Sequence, residues 1–377
     1  MQKVYVHVGV FMSYDTGLRF IVEPQGIALT ELERSQLREL RPAGVMLRKR
    51  NFATDFPYEA WLEQLTSLLG DIREACQRDN LIISIDHEGG RVVRPPLPIT
   101  RFPYASRWRE QSFAVGRAHA EELISLGINL TFSPCVDIHS NPDNPVINAR
   151  AFGRTAEEVV AYAQEYIRGL NEFPIGSCIK HFPGHGDTAT DSHWGVPVVQ
   201  RTRDEIYARE LAPFRALVAS GIDLVMTAHI VAPAIDTERA TISRVFLHDI
   251  LRAEFGFSGV IVADALGMHA IKDELLTGSF IKAATKATLD LFLVVGDDVS
   301  IATAVTMKNN LETALQEDRA CAVEHELAIA RISAYIKKLP SAQAPYALNA
   351  DTFARNMALA QSLEGRQEWD LIVPGFE

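Results

Sequence analysis

Residues Lys180 to Pro197 read KHFPGHGDTATDSHWGVP. The stretch gathers Lys180, three histidines (His181, His185, His193) and two aspartates (Asp187, Asp191) around Pro183, Gly184 and Gly186, which forbid regular structure. Imidazole titrates near neutrality and can both give and take a proton, so histidines beside carboxylates on a loop suit acid–base chemistry. That chemistry needs a third aspartate from elsewhere in the chain. Asp264, at the end of the apolar run GVIVADAL, is the candidate.

Something must bring the two segments together. Short apolar, β-rich runs recur along the chain: VYVHVGVFM from Val4, AGVMLRK from Ala43, LIISID from Leu81 and NLTFSPCVDI from Asn129. They continue with IGSCIKHF from Ile175, DLVMTAHI from Asp223, GVIVADAL from Gly259 and DLFLVVGD from Asp290. Strands buried on both faces read as nearly continuous hydrophobic runs, as these do. Amphipathic helical patterns lie between them, the first opening on Thr30 with Glu33 at capping-box spacing. Eight alternations predict parallel strands joined by helical crossovers, and no Gly-rich phosphate loop follows the first run. The fold expected is α/β, a single (β/α)8 TIM-type barrel over about residues 4–320. Two further helices over about 324–377, split by LPSAQAPYAL, should pack outside it, all within one domain, 1–377.

In such a barrel the C-terminal strand ends carry the chemistry. Those positions hold Asp86, then Lys180 and His181, His229 and Asp264, with NPVINARAFG after the fourth strand. Ionisable groups after apolar runs are costly unless paired or functional. A lone strand-end Asp is also a common turn former, and His229 reads equally well as a satisfied core histidine. Glu88, Gly89 and Gly90 can simply form the turn that folds Arg91 and Arg94 back, and His87 takes the structural reading. Lys180 is harder to explain away, because lysine is rarely buried alone.

The 377 residues are 47% hydrophobic and carry a net charge of −11. This argues against nucleic acid or an anionic membrane as partner, since both call for a basic surface. Cys76, Cys135, Cys178 and Cys321 form no CxxC pair, which fits a reducing compartment and neither a disulfide framework nor a thiolate metal site. The N-terminus lacks a signal-peptide pattern and no apolar run is long enough to span a bilayer, so a cytoplasmic chain, monomer or homodimer, is expected. No motif points to a cofactor.

KHFPGHGDTATDSHWGVP, with IDHEGGRVVR, NARAFG and VADALGM, resembles the β-N-acetylglucosaminidases of glycoside hydrolase family 3, of the peptidoglycan-recycling type. The likeness runs in matching order from about Met12 to Asp297. It implies a carbohydrate substrate, removal of terminal β-linked N-acetylglucosamine with retention, and no metal. Carried over residue by residue, the family's nucleophile falls on Asp264, its acid/base histidine on His193 and that histidine's partner on Asp191. The sugar-binding positions fall on Asp86, Arg94, Arg150, Lys180 and His181. Gly267, Ala151 and the PPLP after Arg94 depart from the family pattern. The second α/β domain of the family's β-glucosidases is not expected here.

Three other readings compete, one of them attack by the substrate's own acetamide oxygen, for which no convincing carboxylate pair presents itself. A metal-dependent barrel hydrolase could use His181 and His185, at the spacing of a helical zinc pair, with Asp187, Asp191 and His193 nearby. Pro183 and Gly184, however, keep that pair off one helical face. A non-catalytic sugar-binding barrel would be expected to have lost Asp264 or His193, and both remain.

Overall fold

The structure is a computed structural model that describes residues 15–364 apart from 79, 189–195, 269–270 and 272–273. Among the described residues nine short strands run in chain order: β1 Phe20–Val22, β2 Gly44–Leu47, β3 Ile82–Ile85, β4 Leu130–Thr131, β5 Gly176–Ser177, β6 Ile179–Phe182, β7 Leu224–Thr227, β8 Val260–Val262 and β9 Phe292–Val294. β5 and β6 are the two halves of one expected strand, so eight strand positions result. All named pairings are parallel, in the orders β5-β4-β3-β2-β1-β9 and β6-β7-β8. Parallel bridges join both seams, Val262 to Leu291 and Cys135 to Lys180. The pairings thus make a complete circuit, the arrangement of a (β/α)8 barrel.

Side chains alternate between two cores, which explains the unbroken apolar runs. Ile21, Met46, Ile82, Leu130, Met226, Val262 and Leu293 share an inner cluster. Their neighbours Val22, Val45, Ile83, Val225, Ile261 and Val294 belong to the outer one, beneath the helices. This is the two-residue period of a strand buried on both faces. The helices follow their caps and stripes. In Glu31–Leu40 the Thr30 hydroxyl accepts from the Glu33 N–H while the Glu33 carboxylate accepts from the Thr30 N–H, and Leu37 and Leu40 turn inward.

One expectation needs correction. The first barrel strand is Phe20–Val22, which pairs with both β2 and β9, and residues 4–12 lie outside the described residues. RFIVEP holds only a three-residue apolar core, too short to compete with the longer alternating run before it. The helix Arg319–Lys338 packs on the barrel through its buried face. Its Ile332 and Tyr335 join the inner cluster, and its Arg331 and Lys338 reach Asp290 and Asp223 where β9 and β7 begin. It caps the N-terminal end, where an open barrel would expose apolar side chains to water. No helix among the described residues is long and apolar enough to cross a membrane.

Candidate active site

The C-terminal ends of β3, β4, β6 and β8 deliver charged side chains to one mouth. Register shifts between Ile179 and Phe182 where β6 meets β7, and both Lys180 and His181 serve the same site. A strand irregularity of this kind re-aims side chains that regular alternation would send to opposite faces.

Lys180 is buried, its Nζ 2.7 Å from Asp86 Oδ1 and 2.6 Å from Glu88 Oε1. Burial would lower its ammonium, but Asp86 and Glu88 outweigh that and hold it above the usual lysine range. Arg150 Nε and Nη2 donate to Glu88 Oε2 and Oε1 at 2.9 and 2.8 Å, a fork-to-fork pair. Burial would raise Glu88, yet Arg150 and Lys180 keep it well below the ordinary carboxylate range. Arg94 approaches Asp86 at 3.8 Å from the rim. Asp86, Arg94, Arg150, Lys180 and His181 therefore form one network, with Glu88 at its centre.

His181 stands on a second hub. Its Nδ1 lies 2.6 Å from Asp137 Oδ2 and its Nε2 3.4 Å from Arg150 Nη2. Asp137 is buried and also accepts from the main-chain N–H groups of His181 and His185 and from the Cys135 thiol at 3.2 Å. Burial acts to raise Asp137, but the His181 and His185 imidazoles and the His185 N–H bring it down to about 2.

Asp264 follows β8, partly exposed on the floor of the mouth, with Oδ1 accepting from the Ala265 N–H at 2.7 Å. Burial would raise its carboxyl. The imidazoles of His181 and His229, the Ala265 N–H and the Lys180 ammonium outweigh it and hold the carboxyl below the usual range. An ionised carboxylate can attack an electrophilic carbon or stabilise positive charge there. His229 is buried beneath it, Nδ1 2.7 Å from Thr241 Oγ1 and Nε2 3.3 Å from the Ala265 carbonyl, so it supports the floor. Asp191 and His193 lie outside the described residues.

Glu88 and Asp137 are the two groups sequence reasoning missed. Glu88 looked like part of a turn beside two glycines. Asp137 was hidden inside the run FSPCVDI, although the strand-end rule applied to the fourth strand would have marked it. His87, in contrast, is buried with its ring 4.6 Å from that of His119 and takes no part in the network.

Among the described residues, His185 and Asp187 of the metal reading face other partners. His185 Nδ1 is 2.7 Å from Thr188 Oγ1, and burial pushes its imidazole down to about 4, so it is neutral at pH 7. Asp187 faces Arg201 and Arg209. Among the described residues, Cys135, Asp137 and His181 bring one ligand atom each within 4.8 Å. These three are already hydrogen-bonded to one another through Asp137.

A family model described as the glycosyl hydrolase family 3 N-terminal domain matches residues 18–332. A β-hexosaminidase of Chromobacterium violaceum is 39% identical over 288 residues, 73% of this chain and 77% of that protein. Among solved structures, a glycoside hydrolase family 3 β-N-acetylglucosaminidase from a Paenibacillus species superposes with a TM-score of 0.82 at 30% identity, covering 93% of this chain and 67% of its own. NagZ from Neisseria gonorrhoeae, in complex with N-trifluoroacetyl-D-glucosamine, gives 0.70 at 29% identity over 92% of this chain and 97% of its own.

Proposed function

The chain belongs to glycosyl hydrolase family 3, and we propose that it removes terminal, non-reducing β-linked N-acetylglucosamine by a retaining mechanism. The observation that carries this reading is Asp264 at the end of β8, partly exposed at the mouth with Oδ1 accepting from the Ala265 N–H. Burial would raise its carboxyl, but groups that include His181 and Lys180 of β6 hold it below the usual range. A nucleophile must be charged when the sugar arrives, and these neighbours keep it so.

In the first step an Asp264 carboxylate oxygen bonds to the anomeric carbon while the glycosidic C–O bond breaks. The His193 imidazolium gives its proton to the leaving oxygen. In the second step water attacks the same carbon, His193 takes the water's proton, and the ester to Asp264 opens. Asp191 accepts from the other ring nitrogen, fixing the tautomer and raising the basicity of His193. Asp86, Arg94, Arg150, Lys180 and His181 bind the sugar hydroxyls, for which a carboxylate and its cations offer both acceptors and donors. The catalytic unit is one barrel with its C-terminal helices attached. Its place is the cytoplasm, on muropeptides released in cell-wall recycling.

Hydrolysis of a chromogenic β-N-acetylglucosaminide, followed by NMR of the first-formed anomer, tests the reading. The expected product is the β-anomer, and a slow fluorinated sugar should leave an adduct on the peptide containing Asp264. An inverted product, or an adduct on another residue, overturns it.

A further inference from the structure

The segment that carries Asp191 and His193 leaves β6 through residues 183–188 and returns through 196–201. Each limb is tied down separately. On the incoming limb, Asn144 Nδ2 donates to the His185 and Gly186 carbonyls at 2.8 and 3.0 Å. Gly186 lies so close to the Ile138 carbonyl that a Cβ would sit 1.7 Å from its oxygen. On the outgoing limb, Val199 N–H donates to the Val231 carbonyl at 2.9 Å and Val231 N–H to the Pro197 carbonyl at 3.0 Å. The first limb is thus fastened to the segment after β4, the second to the segment after β7.

A contact among the described residues links the limbs directly. Arg201 Nε and Nη2 donate to Asp187 Oδ2 and Oδ1 at 2.8 and 2.9 Å, both prongs of the guanidinium meeting both oxygens. Arg209, from the turn Ile206–Glu210, adds an ion pair to the same carboxylate at 3.0 Å. The Asp187 side chain is only 5% exposed, while Arg201 is 41% exposed. A shielded carboxylate held in bidentate geometry is a better anchor than an ordinary surface pair.

We propose that Asp187 and Arg201 are positioning residues that clamp the neck of this segment, fixing where its thirteen intervening residues, 188–200, start and end. The inference rests on the reading that His193 is the acid/base. This positioning role needs no contact between either residue and the sugar. Their effect is to narrow the placements from which an imidazole can reach the leaving oxygen, and a loss of about 1.4 kcal/mol in that restraint corresponds to tenfold in rate. Pinning two chain ends restricts the segment between them, which is loop-closure entropy removed in advance. Lysine cannot reproduce the two-pronged contact, so Arg201→Lys should recover only part of the effect.

The test compares wild type, Arg201→Gln and Arg201→Lys by steady-state kinetics, thermal unfolding and hydrogen exchange of residues 184–188 and 196–201. Expected for Arg201→Gln are a 5- to 20-fold fall in kcat, KM within twofold, little change in Tm, and faster exchange in both limbs. Arg201→Lys should fall between the two. An unchanged kcat overturns the clamp, as does a fall in kcat with unaltered exchange, or a loss that appears mainly in KM. If wild type hydrolyses no glycoside, the functional reading fails by itself. The exchange comparison then still decides whether the pair holds the neck.

Discussion

At the N-terminal end of the barrel Asp290 is fully buried, and its carboxylate accepts from Arg252 at 2.6 Å, Arg331 at 2.9 Å and the Ile261 N–H at 2.7 Å. Arg19, equally buried, spends its guanidinium on the main-chain carbonyls of Leu289 and Asp290. At the other end Glu88 is shared by Lys180 and Arg150, but the cluster opens outward through Asp86 and Arg94, whose side chains are 22% and 25% exposed. The residue types match and the roles diverge. The lower cluster is closed by partners from the chain itself and ties the helix Arg319–Lys338 to the strand starts. The upper cluster keeps polar atoms facing the mouth, where a ligand's hydroxyls can complete it. Charge clusters become binding sites where the fold leaves them open.

Three variants sharpen that contrast. Asp264→Asn, at the open end, should lower kcat a thousandfold or more, about 4 kcal/mol of transition-state stabilisation, with the unfolding free energy changed by less than about 1 kcal/mol. Retention of a tenth of wild-type turnover in the chromogenic assay would remove Asp264 as nucleophile.

Asp290→Asn, at the closed end, should do the opposite. It leaves Arg252 and Arg331 without their counter-charge, a loss of about 3–5 kcal/mol by denaturant unfolding, while kcat per folded molecule stays within twofold. If turnover falls and stability holds, the two ends are not as separate as described.

The third effect is the smallest. Glu210 is buried beside Gly184, with Oε1 2.7 Å from Arg209 Nε, and burial pushes its carboxyl up to about 7 although Arg209 opposes this. A carboxyl raised in the folded state keeps its proton while the unfolded chain loses it, so stability falls as pH rises from about 4.5 to about 7. Glu210→Gln has no proton to lose. Relative to wild type it should gain roughly 2–3 kcal/mol in unfolding free energy between pH 5 and pH 8. A flat difference across that range would show that Glu210 is not held neutral by its burial.

Much of this was legible in advance, for definite reasons. Seven of the eight strand positions lie inside the expected runs because a strand buried on both faces is apolar at nearly every residue, as at Val260–Val262. Phe20–Val22 escaped because three residues carry too little pattern. The strand-end rule found Asp86, Lys180, His181 and Asp264, since charge after an apolar run is conspicuous. It passed over Glu88 and Asp137 because glycines and a further apolar stretch hid them. Cys135 reads as a small hydrophobe and is buried, yet its thiol also donates to Asp137.

Composition, periodicity and the placing of charges at strand ends determined, by themselves, a parallel α/β barrel and the mouth at which to look. These are local properties of the chain, set by which residues tolerate burial. Only the tertiary structure decided who partners whom. Lys180 meets Asp86 across 94 residues of chain, and Asp290 meets Arg331 across 41. Register around the barrel brings such groups within hydrogen-bond reach, and nothing in the spacing of either pair along the chain separates the open cluster from the closed one.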